Sequence, residues 1–216
     1  NMGECWGEGT ATFMILGNIC TRSCQFCGVK TGRPGIVDWS EPLKVAKSIQ
    51  IMKVKHAVIT SVDRDDLKDG GASLWVETVK SIRKLNPSTT LETLIPDFKG
   101  ENKDLNKIIK VMPEVISHNL ETVRRLTREV RVQARYDRSL YVLKYLKEQG
   151  VNRTKSGIML GLGETESEVF DTLHDLRNAN VDIVTIGQYL QPSKKLLQVK
   201  QFITPEQFDK YAQIAR

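Results

Sequence analysis

The stretch "GNICTRSCQFCGVK", residues 17–30, holds three of the chain's four cysteines in the spacing C-x3-C-x2-C. Three clustered thiols suit neither a disulfide framework, which needs an even number, nor a closed structural zinc site, which needs four ligands. Soft sulfur ligands at Cys20, Cys24 and Cys27 select zinc, copper(I) or iron-sulfur clusters. Three interpretations stay open at this point: an iron-sulfur cluster with one open iron, a zinc site completed by a distant histidine, or buried thiols without a metal.

Composition indicates a folded globular chain in a reducing compartment. Of the 216 residues, 40% are hydrophobic and 27% are charged, which excludes an intrinsically disordered protein. No apolar run approaches the roughly 18 residues that span a membrane. Residues 1–10 lack the features of a secretory signal, and the clustered cysteines do not resemble a secreted disulfide scaffold. The formal net charge of +6 is basic but not by itself typical of nucleic-acid binding.

Short apolar runs alternate with amphipathic segments along the chain. The runs predict six strands, at residues 11–17, 56–62, 89–96, 114–121, 155–162 and 181–190. The segments between and after them predict helices at residues 41–53, 72–85, 103–112, 139–150 and 166–180, and a sixth entered at Thr204-Pro205. This alternation predicts an α/β fold with a parallel sheet. Periodicity alone leaves open whether the sheet is doubly wound or a six-stranded partial barrel.

Local start and stop signals agree with these helices. Ser40 is predicted to cap the first helix, with Pro42 in its first turn. Gly150 is predicted to end the fourth helix. Thr165-x-x-Glu168 is predicted to form a capping box at the start of the fifth.

The chemistry-bearing residues collect in the loops that follow the predicted strands. The cysteine loop follows the first strand, "SVDRDDLKDGGA" the second, "GLGET" the fifth and "QYLQPS" the sixth. In both candidate architectures the functional site lies at the carboxyl ends of the strands. We therefore expect these loops to converge on one site.

The cysteine motif after a first strand, with Phe26 directly before the last cysteine, resembles the radical S-adenosylmethionine (SAM) superfamily. Within it the chain is most similar to the lipoyl synthase family. The similarity rests on "GTATFMILGNICTRSCQFC", "VDRDDLKDGGA", "SHNLETVRRL", "TKSGIMLGLGE" and "TIGQYLQP", which run in the same order from residue 9 to residue 192.

This resemblance implies a partial (β/α)6 TIM-type barrel. It implies that Cys20, Cys24 and Cys27 hold a [4Fe-4S] cluster whose open iron binds SAM. Reductive cleavage of SAM would give a 5′-deoxyadenosyl radical that abstracts hydrogens from C6 and C8 of an octanoyl chain on a lipoyl carrier protein. Sulfur would come from a second, auxiliary [4Fe-4S] cluster, and no side chain is assigned a catalytic role beyond the cluster and SAM.

The resemblance also implies a set of cofactor-binding residues. They are Phe26, Gly70, Gly71, Asn119, Glu121, Arg135, Lys155, Gly157, Met159, Gly161, Glu164 and Gln191. Gly70 and Gly71 would let the backbone approach the methionine amino group, because glycine has no Cβ; a plain turn is the alternative. For the polar members, structural salt bridging is the alternative.

The two ends of the chain depart from the family pattern. Cys5 corresponds to the third cysteine of the family's C-x4-C-x5-C auxiliary set, whose first two members would precede Asn1. The family's late Arg-Ser-Ser-Tyr segment does not occur before Arg216. Either the chain is trimmed, or the protein cleaves SAM without completing lipoylation. We expect a trimmed chain, with residues 1–10 as the remnant of an auxiliary-cluster segment and residues 11–216 as the partial barrel.

The implied partners are an octanoylated lipoyl carrier protein and an electron donor such as flavodoxin or ferredoxin, with no nucleic acid and no membrane. The expected location is the cytoplasm, or a mitochondrial or plastid matrix. Two alternative functions stay open: another radical SAM sulfur inserter of the biotin or methylthio type, and a zinc-binding nucleic-acid module. Iron and labile sulfide would exclude the latter.

Two charged segments allow both a structural and a functional interpretation. The first carries six arginines, which form a solvated face or a docking surface for an acidic carrier domain: Arg124, Arg125, Arg128, Arg131, Arg135 and Arg138. The second is the loop 63–69, whose carboxylates could shift each other's pKa, although helix capping and salt bridges are favoured. His118 is interpreted as a core histidine.

Overall fold

The computed structural model describes residues 6–215, so Cys5 lies outside the described residues. The chain forms two compact units. The first contains the chain up to Thr21 together with Val29–Ser117, and the second contains Arg22–Gly28 and the chain from His118 onward. Within the described span, no helix combines the length and the apolar content needed to cross a membrane.

The first unit is a parallel sheet with its helices. Its strands are β1 (Thr10–Ile15), the short pair β2 (Ile19–Cys20) and β3 (Lys30–Thr31), β4 (His56–Ser61), β5 (Thr90–Leu94) and β6 (Val115–Ser117). Its helices are α1 (Glu41–Ile51), α2 (Ala72–Leu85) and α3 (Asn102–Lys110), with a 3₁₀ turn at Phe98–Gly100. The strands β1, β4, β5 and β6 lie side by side in that order and are all parallel. The two short strands β2 and β3 pair with each other.

The core of the first unit follows from the sequence pattern. Alternate residues of β4, Ala57 and Ile59, are fully buried, as the two-residue period of a strand requires. In α2, Trp75, Val79 and Ile82 are fully buried and share one face at helical spacing.

The second unit repeats this design. It contains β7 (Thr154–Leu160) and β8 (Ile183–Gln188), α4 (Thr127–Val130), α5 (Tyr136–Glu148), α6 (Glu166–Asn178) and α7 (Pro205–Ala215), with a 3₁₀ turn at Arg124–Leu126. β7 and β8 are parallel from Lys155↔Ile183 to Leu160↔Gln188. The segment after His118 runs beside β7, since His118 N–H donates to the carbonyl of Lys155 at 3.0 Å. The α/β prediction and its order of elements are thus confirmed.

The structure corrects several element boundaries. β6 ends at Ser117 rather than at residue 121, because Glu121 adopts a left-handed φ of 67° and makes only an isolated bridge with Ile158. The fourth predicted helix begins at Tyr136, three residues before the predicted start. Neither the β2–β3 pair nor the four-residue helix α4 was predicted.

The predicted helix ends are confirmed in three cases and wrong in one. Thr165 and Glu168 form the capping box of α6, Pro42 lies in the first turn of α1, and Gly150 follows α5 with a φ of 81°. Ser40, however, makes no side-chain capping bond. Its hydroxyl instead donates to Asp38 Oδ1 at 2.6 Å.

Candidate functional site

The first part of the cysteine loop is tied to the loop after β4. Thr21 N–H and Thr21 Oγ1 both donate to the carbonyl of Asp63, at 3.0 and 2.9 Å. Asp63 N–H in turn donates to Cys20 Sγ at 3.3 Å. A backbone N–H aimed at a sulfur stabilises the thiolate form and is one of the features that set cluster potentials. Cys20 Sγ in turn donates to Asp63 Oδ2 at 3.9 Å, so Asp63 fixes the position of this sulfur through both its backbone and its side chain.

The second part of the loop belongs to the second unit. Cys27 N–H donates to the carbonyl of Cys24 at 3.2 Å, which closes a tight turn. Gln25 N–H donates to the carbonyl of Val130 at 2.8 Å, and the half-buried Phe26 packs against the hydrophobic core of the unit. The loop is thus anchored through its backbone and one aromatic side chain, with Cys24 and Cys27 half-buried.

The three thiols have the soft sulfur chemistry that iron-sulfur clusters, zinc and copper(I) select. Cys20, Cys24 and Cys27 are thiols rather than disulfides. Among residues 6–215, no group of three or more His, Cys, Asp or Glu side chains is arranged to hold a metal ion. A [4Fe-4S] cluster takes one thiolate on each iron, so three thiols would leave one iron without a protein ligand.

Gly70 and Gly71 form the turn that begins α2. Their φ values are 59° and 89°, in the left-handed region that glycine adopts without steric penalty. A Cβ at Gly71 would overlap Leu16 Cδ1 at 2.5 Å, and one at Gly70 would meet Phe98 Cδ1 at 3.0 Å. Packing within the chain accounts for both glycines, and their predicted contact with a cofactor stays a prediction.

The charged loop 63–69 is used to build structure. Arg64, only 4% exposed, donates to both carboxylate oxygens of Asp66 at 2.9 Å and to the carbonyl of Gly35 at 2.9 Å. Burial raises the pKa of Asp69, but hydrogen bonds from Ser73 and Lys107 outweigh that effect and hold it at about 2. Asp69 therefore stays a carboxylate that orders the start of α2.

Asn119, Glu121 and Gly157 are brought together beside β7. Asn119 Nδ2 donates to Glu121 Oε1 at 3.1 Å, and Glu121 N–H donates to the carbonyl of Gly157 at 2.9 Å. A Cβ at Gly157 would lie 3.0 Å from Asn119 Oδ1, so the glycine makes room for the amide. Burial raises the pKa of Glu121, and the charge of Arg131 and the Asn119 hydrogen bond partly offset this.

The turn after β7 is closed by Glu164. Its carboxylate accepts from Gly161 N–H at 2.5 Å and from Leu162 N–H at 2.9 Å. Gln188 completes the turn: its Nε2 donates to the carbonyls of Leu160 and Gln201 at 3.2 and 3.1 Å. Gly161 and Glu164 therefore shape this loop together.

The remaining predicted residues are dispersed over the second unit. Arg135 is exposed and directly precedes α5. Lys155 is half-buried near the start of β7. Met159 packs against the core of the unit, and its N–H donates to the carbonyl of Glu121 at 2.8 Å. Gln191 Nε2 donates to the carbonyl of Leu196 at 2.8 Å.

The arginine-rich segment does not form one solvated face. Arg131 is 6% exposed and donates to the carbonyl of Leu120 at 3.0 Å and to Ser139 Oγ at 3.1 Å. Arg125 makes a two-point ion pair with Glu168, at 2.6 and 2.9 Å. The interpretation of all six arginines as one surface is therefore wrong, because Arg131 supports the core. His118 is a core histidine, with Nε2 2.9 Å from Ser139 Oγ.

Sequence reasoning missed three contributors to these sites. The sequence favours capping or salt bridging for Asp63, yet its N–H donates to Cys20 Sγ at 3.3 Å. Arg131 was placed on the surface, yet its charge acts on Glu121. Gln188 was not singled out. The position of Asp63 just after a strand was the one signal in the sequence that could have drawn attention to it.

Comparisons with known proteins agree with this architecture. The family model of the Radical SAM superfamily matches residues 14–176. A lipoyl synthase of Flavobacterium johnsoniae is 75% identical over 211 residues, covering 98% of this chain and 73% of that relative. A mitochondrial lipoyl synthase of Nematostella vectensis is 74% identical over 216 residues, covering 100% of this chain and 74% of that relative.

A solved structure supports the fold independently. The FeFe-hydrogenase maturase HydG from Carboxydothermus hydrogenoformans superposes with a TM-score of 0.79 at 16% identity, covering 95% of this chain and 50% of that one. The chain thus spans about half the length of that structure, and the likeness shows the fold alone: the α/β partial (β/α)6 barrel of the radical SAM kind.

The relatives decide between the alternatives left open by the sequence. They carry the name lipoyl synthase over the full described span, and they favour neither a biotin- or methylthio-type enzyme nor a zinc-binding nucleic-acid module. With the radical SAM motif and the parallel α/β fold in place, the chain belongs to the lipoyl synthase family of the radical SAM superfamily.

Proposed function

We propose that this chain carries the core that forms the lipoyl cofactor by sulfur insertion at C6 and C8 of an octanoyl chain on a lipoyl carrier protein. The observation that carries the proposal is the C-x3-C-x2-C loop. Its first thiol, Cys20 Sγ, accepts a hydrogen bond from Asp63 N–H at 3.3 Å. When bound, the cluster and SAM supply the reducing electron and the deoxyadenosyl radical that removes the two hydrogens.

The loop thiolates have a defined task in this proposal. Cys20, Cys24 and Cys27 would hold the cluster, and its open iron would bind SAM. The hydrogen bond from Asp63 N–H to Cys20 Sγ at 3.3 Å holds this sulfur in place. The anchoring of Phe26 in the core keeps Cys27 in position.

Polar groups of the second unit bind and orient SAM in this proposal. Asn119, Arg135 and Lys155 offer donors for the methionine carboxylate. Glu121 offers an acceptor, and its contact with Asn119 at 3.1 Å fixes the amide's orientation. The absence of a side chain at Gly157 lets Asn119 approach the strand.

The backbone and apolar members of the set shape the rest of the pocket. Gly161 and Glu164, with Met159 and Gln191, form the adenine side. Gly70 and Gly71 form the loop for the methionine amino group, because the missing Cβ atoms let the backbone approach it.

The auxiliary cluster is the sulfur donor in this proposal if a full-length chain supplies the ligands that would complete the set with Cys5. The electron donor is a flavodoxin- or ferredoxin-type protein. The site of action is the cytoplasm, or the matrix of an organelle.

Anaerobic reconstitution followed by reductive SAM cleavage tests the proposal. The unsubstituted protein should form 5′-deoxyadenosine, and Cys24→Ala should not. Ser23→Ala is the matched control, because it changes the same loop without removing a thiol, and it should retain the activity. Equal turnover in Cys24→Ala, or sulfur insertion into dethiobiotin or tRNA but not into an octanoyl-lysyl peptide, would overturn the proposal.

A further inference from the structure

The cysteine loop in the second unit is bordered by two other segments. On one side Gln25 N–H donates to the carbonyl of Val130 at 2.8 Å, and Ser23 N–H donates to Gln133 Oε1 at 3.1 Å. On the other side Leu197 N–H donates to the carbonyl of Gln25 at 3.1 Å. Residues 128–135 and 191–200 therefore flank the loop directly.

Nearly all of the charged side chains in these three segments are basic. Residues 22–28, 128–135 and 191–200 contain seven basic side chains against one acidic one, Glu129. Arg22 and Arg131 are buried at 5% and 6% exposure, and Lys200 pairs with Glu129 at 3.7 Å. The four exposed cations that remain define what we call the cationic rim: Arg128, Arg135, Lys194 and Lys195.

We propose that the cationic rim is the docking surface for an acidic protein that delivers single electrons to the cluster held by the neighbouring loop. This inference rests on the proposed function, since it needs a cluster at Cys24 and Cys27. One electron passes from the reduced partner to the cluster, and the partner leaves oxidised by one electron. A rim of like charge attracts a partner of opposite charge and speeds its association.

The geometry favours an electron donor over the lipoyl carrier as the occupant. The carrier presents its octanoyl chain on a long lysyl arm, so its folded domain can bind at a distance from the cluster. An electron donor has no such arm, and electron transfer weakens steeply with distance. Its redox group must therefore approach the cysteine loop itself, and the cationic rim is the surface that borders this loop.

A double charge reversal tests the surface. Lys194→Glu with Lys195→Glu removes half of the cationic rim and spares every residue assigned to SAM or the cluster. The matched control is Lys47→Glu with Lys84→Glu, two exposed lysines of α1 and α2 in the first unit, which changes the net charge equally. The readout is the rate of cluster reduction, followed by the loss of its visible absorbance, with an acidic flavodoxin or with dithionite.

The rim variant should be reduced by flavodoxin about tenfold more slowly at low salt, and by dithionite at the unchanged rate. The control variant should match the unsubstituted protein. Salt should diminish the difference, because the Debye length shortens to about 8 Å at physiological ionic strength.

Three results would overturn the inference. Equal slowing in the control variant would show a net-charge effect. An unchanged rate of cluster reduction by flavodoxin in the rim variant would show that the cationic rim is only a solvated surface. Weakened binding of the octanoylated carrier with an unchanged flavodoxin rate would assign the rim to the carrier. Failure of the unsubstituted protein to cleave SAM with dithionite is a separate outcome that would contradict the proposed function itself.

Discussion

Glu121 combines two costly features at one residue. Its φ of 67° is a backbone conformation that costs a residue other than glycine about 1–2 kcal/mol. Its carboxyl group is desolvated enough to raise its pKa. Residues with such costs are common at functional sites, which agrees with the proposed role of Glu121 in orienting SAM.

Glu121→Gln should change how stability depends on pH. Because the folded-state pKa of Glu121 lies above its ordinary value of 4.5, the folded state binds more protons than the unfolded chain in the window above that value. Stability is therefore lost as pH rises through this window. The glutamine variant lacks this loss, so its stability relative to the unsubstituted protein should increase with pH.

Urea unfolding at a series of pH values upward from 4.5 measures this difference. Glu148→Gln, at an exposed position at the end of α5, is the matched control for removing one carboxylate. A stability difference for Glu121→Gln that stays flat with pH would contradict a raised pKa.

Gly161 tests how tightly the turn after β7 is packed. Its φ is 97°, and a Cβ there would overlap the carbonyl oxygen of Gln201 and the Nε2 of Gln188. Gly161→Ala should therefore cost about 3 kcal/mol, the sum of a left-handed backbone penalty and overpacking. Gly150→Ala has a similar φ of 81° with nothing within 4 Å of the added Cβ, and should cost only about 1 kcal/mol.

Chemical denaturation of the two alanine variants gives the comparison. The difference between them isolates the overlap, since the backbone penalty is shared. Equal costs would mean that the turn relaxes around the new methyl group.

At the scale of elements, the sequence predicts those helices and strands that are long enough to show a periodic pattern of apolar residues. The helices α1, α2, α3, α5 and α6 were predicted at or near their observed bounds, and the start of α7 was predicted as well. Such helices bury one face at helical spacing, as Leu74, Trp75 and Val79 do in α2. The pair β2–β3 could not be predicted, since two-residue strands carry no measurable period. The helix α4 is only one turn long and carries no period either.

Helix capping separates a correct prediction from a wrong one. Thr165 Oγ1 accepts from Glu168 N–H at 3.3 Å, whereas Ser40 makes no capping bond. Thr165→Ala should therefore cost about 1 kcal/mol of unfolding free energy. Ser40→Ala should cost only a few tenths of that, since it removes just an exposed hydrogen bond to Asp38.

Thermal or urea unfolding of both variants under identical conditions provides the measurement. A loss in Ser40→Ala as large as in Thr165→Ala would contradict the observed geometry at the start of α1.

At the scale of the whole molecule, the periodicity of the sequence could not decide between an open sheet and a partial barrel. Both closures use the same alternation of strands and helices, so resemblance and the matching fold of a solved relative made the choice. The thiol set was predictable because its three members lie within eight residues. The bond from Asp63 to Cys20 was not, because 43 residues separate the partners.

The two proposed clusters can be separated by substituting one cysteine of each set. We consider a chain extended upstream by the two further cysteines of the family's C-x4-C-x5-C pattern. Such a protein should hold about eight iron atoms after reconstitution, since each [4Fe-4S] cluster contributes four. Cys5→Ala should halve the iron content and abolish sulfur insertion, because the sulfur donor is lost.

Cys5→Ala should nevertheless still form 5′-deoxyadenosine, because Cys20, Cys24 and Cys27 remain. Cys24→Ala should have the reverse defect and form none, although its auxiliary cluster is intact. Iron and sulfide analysis together with chromatography of the deoxyadenosine product distinguishes the two. Loss of SAM cleavage in Cys5→Ala would instead make Cys5 a ligand of the loop cluster, and the open iron that the three-cysteine motif implies would then not exist.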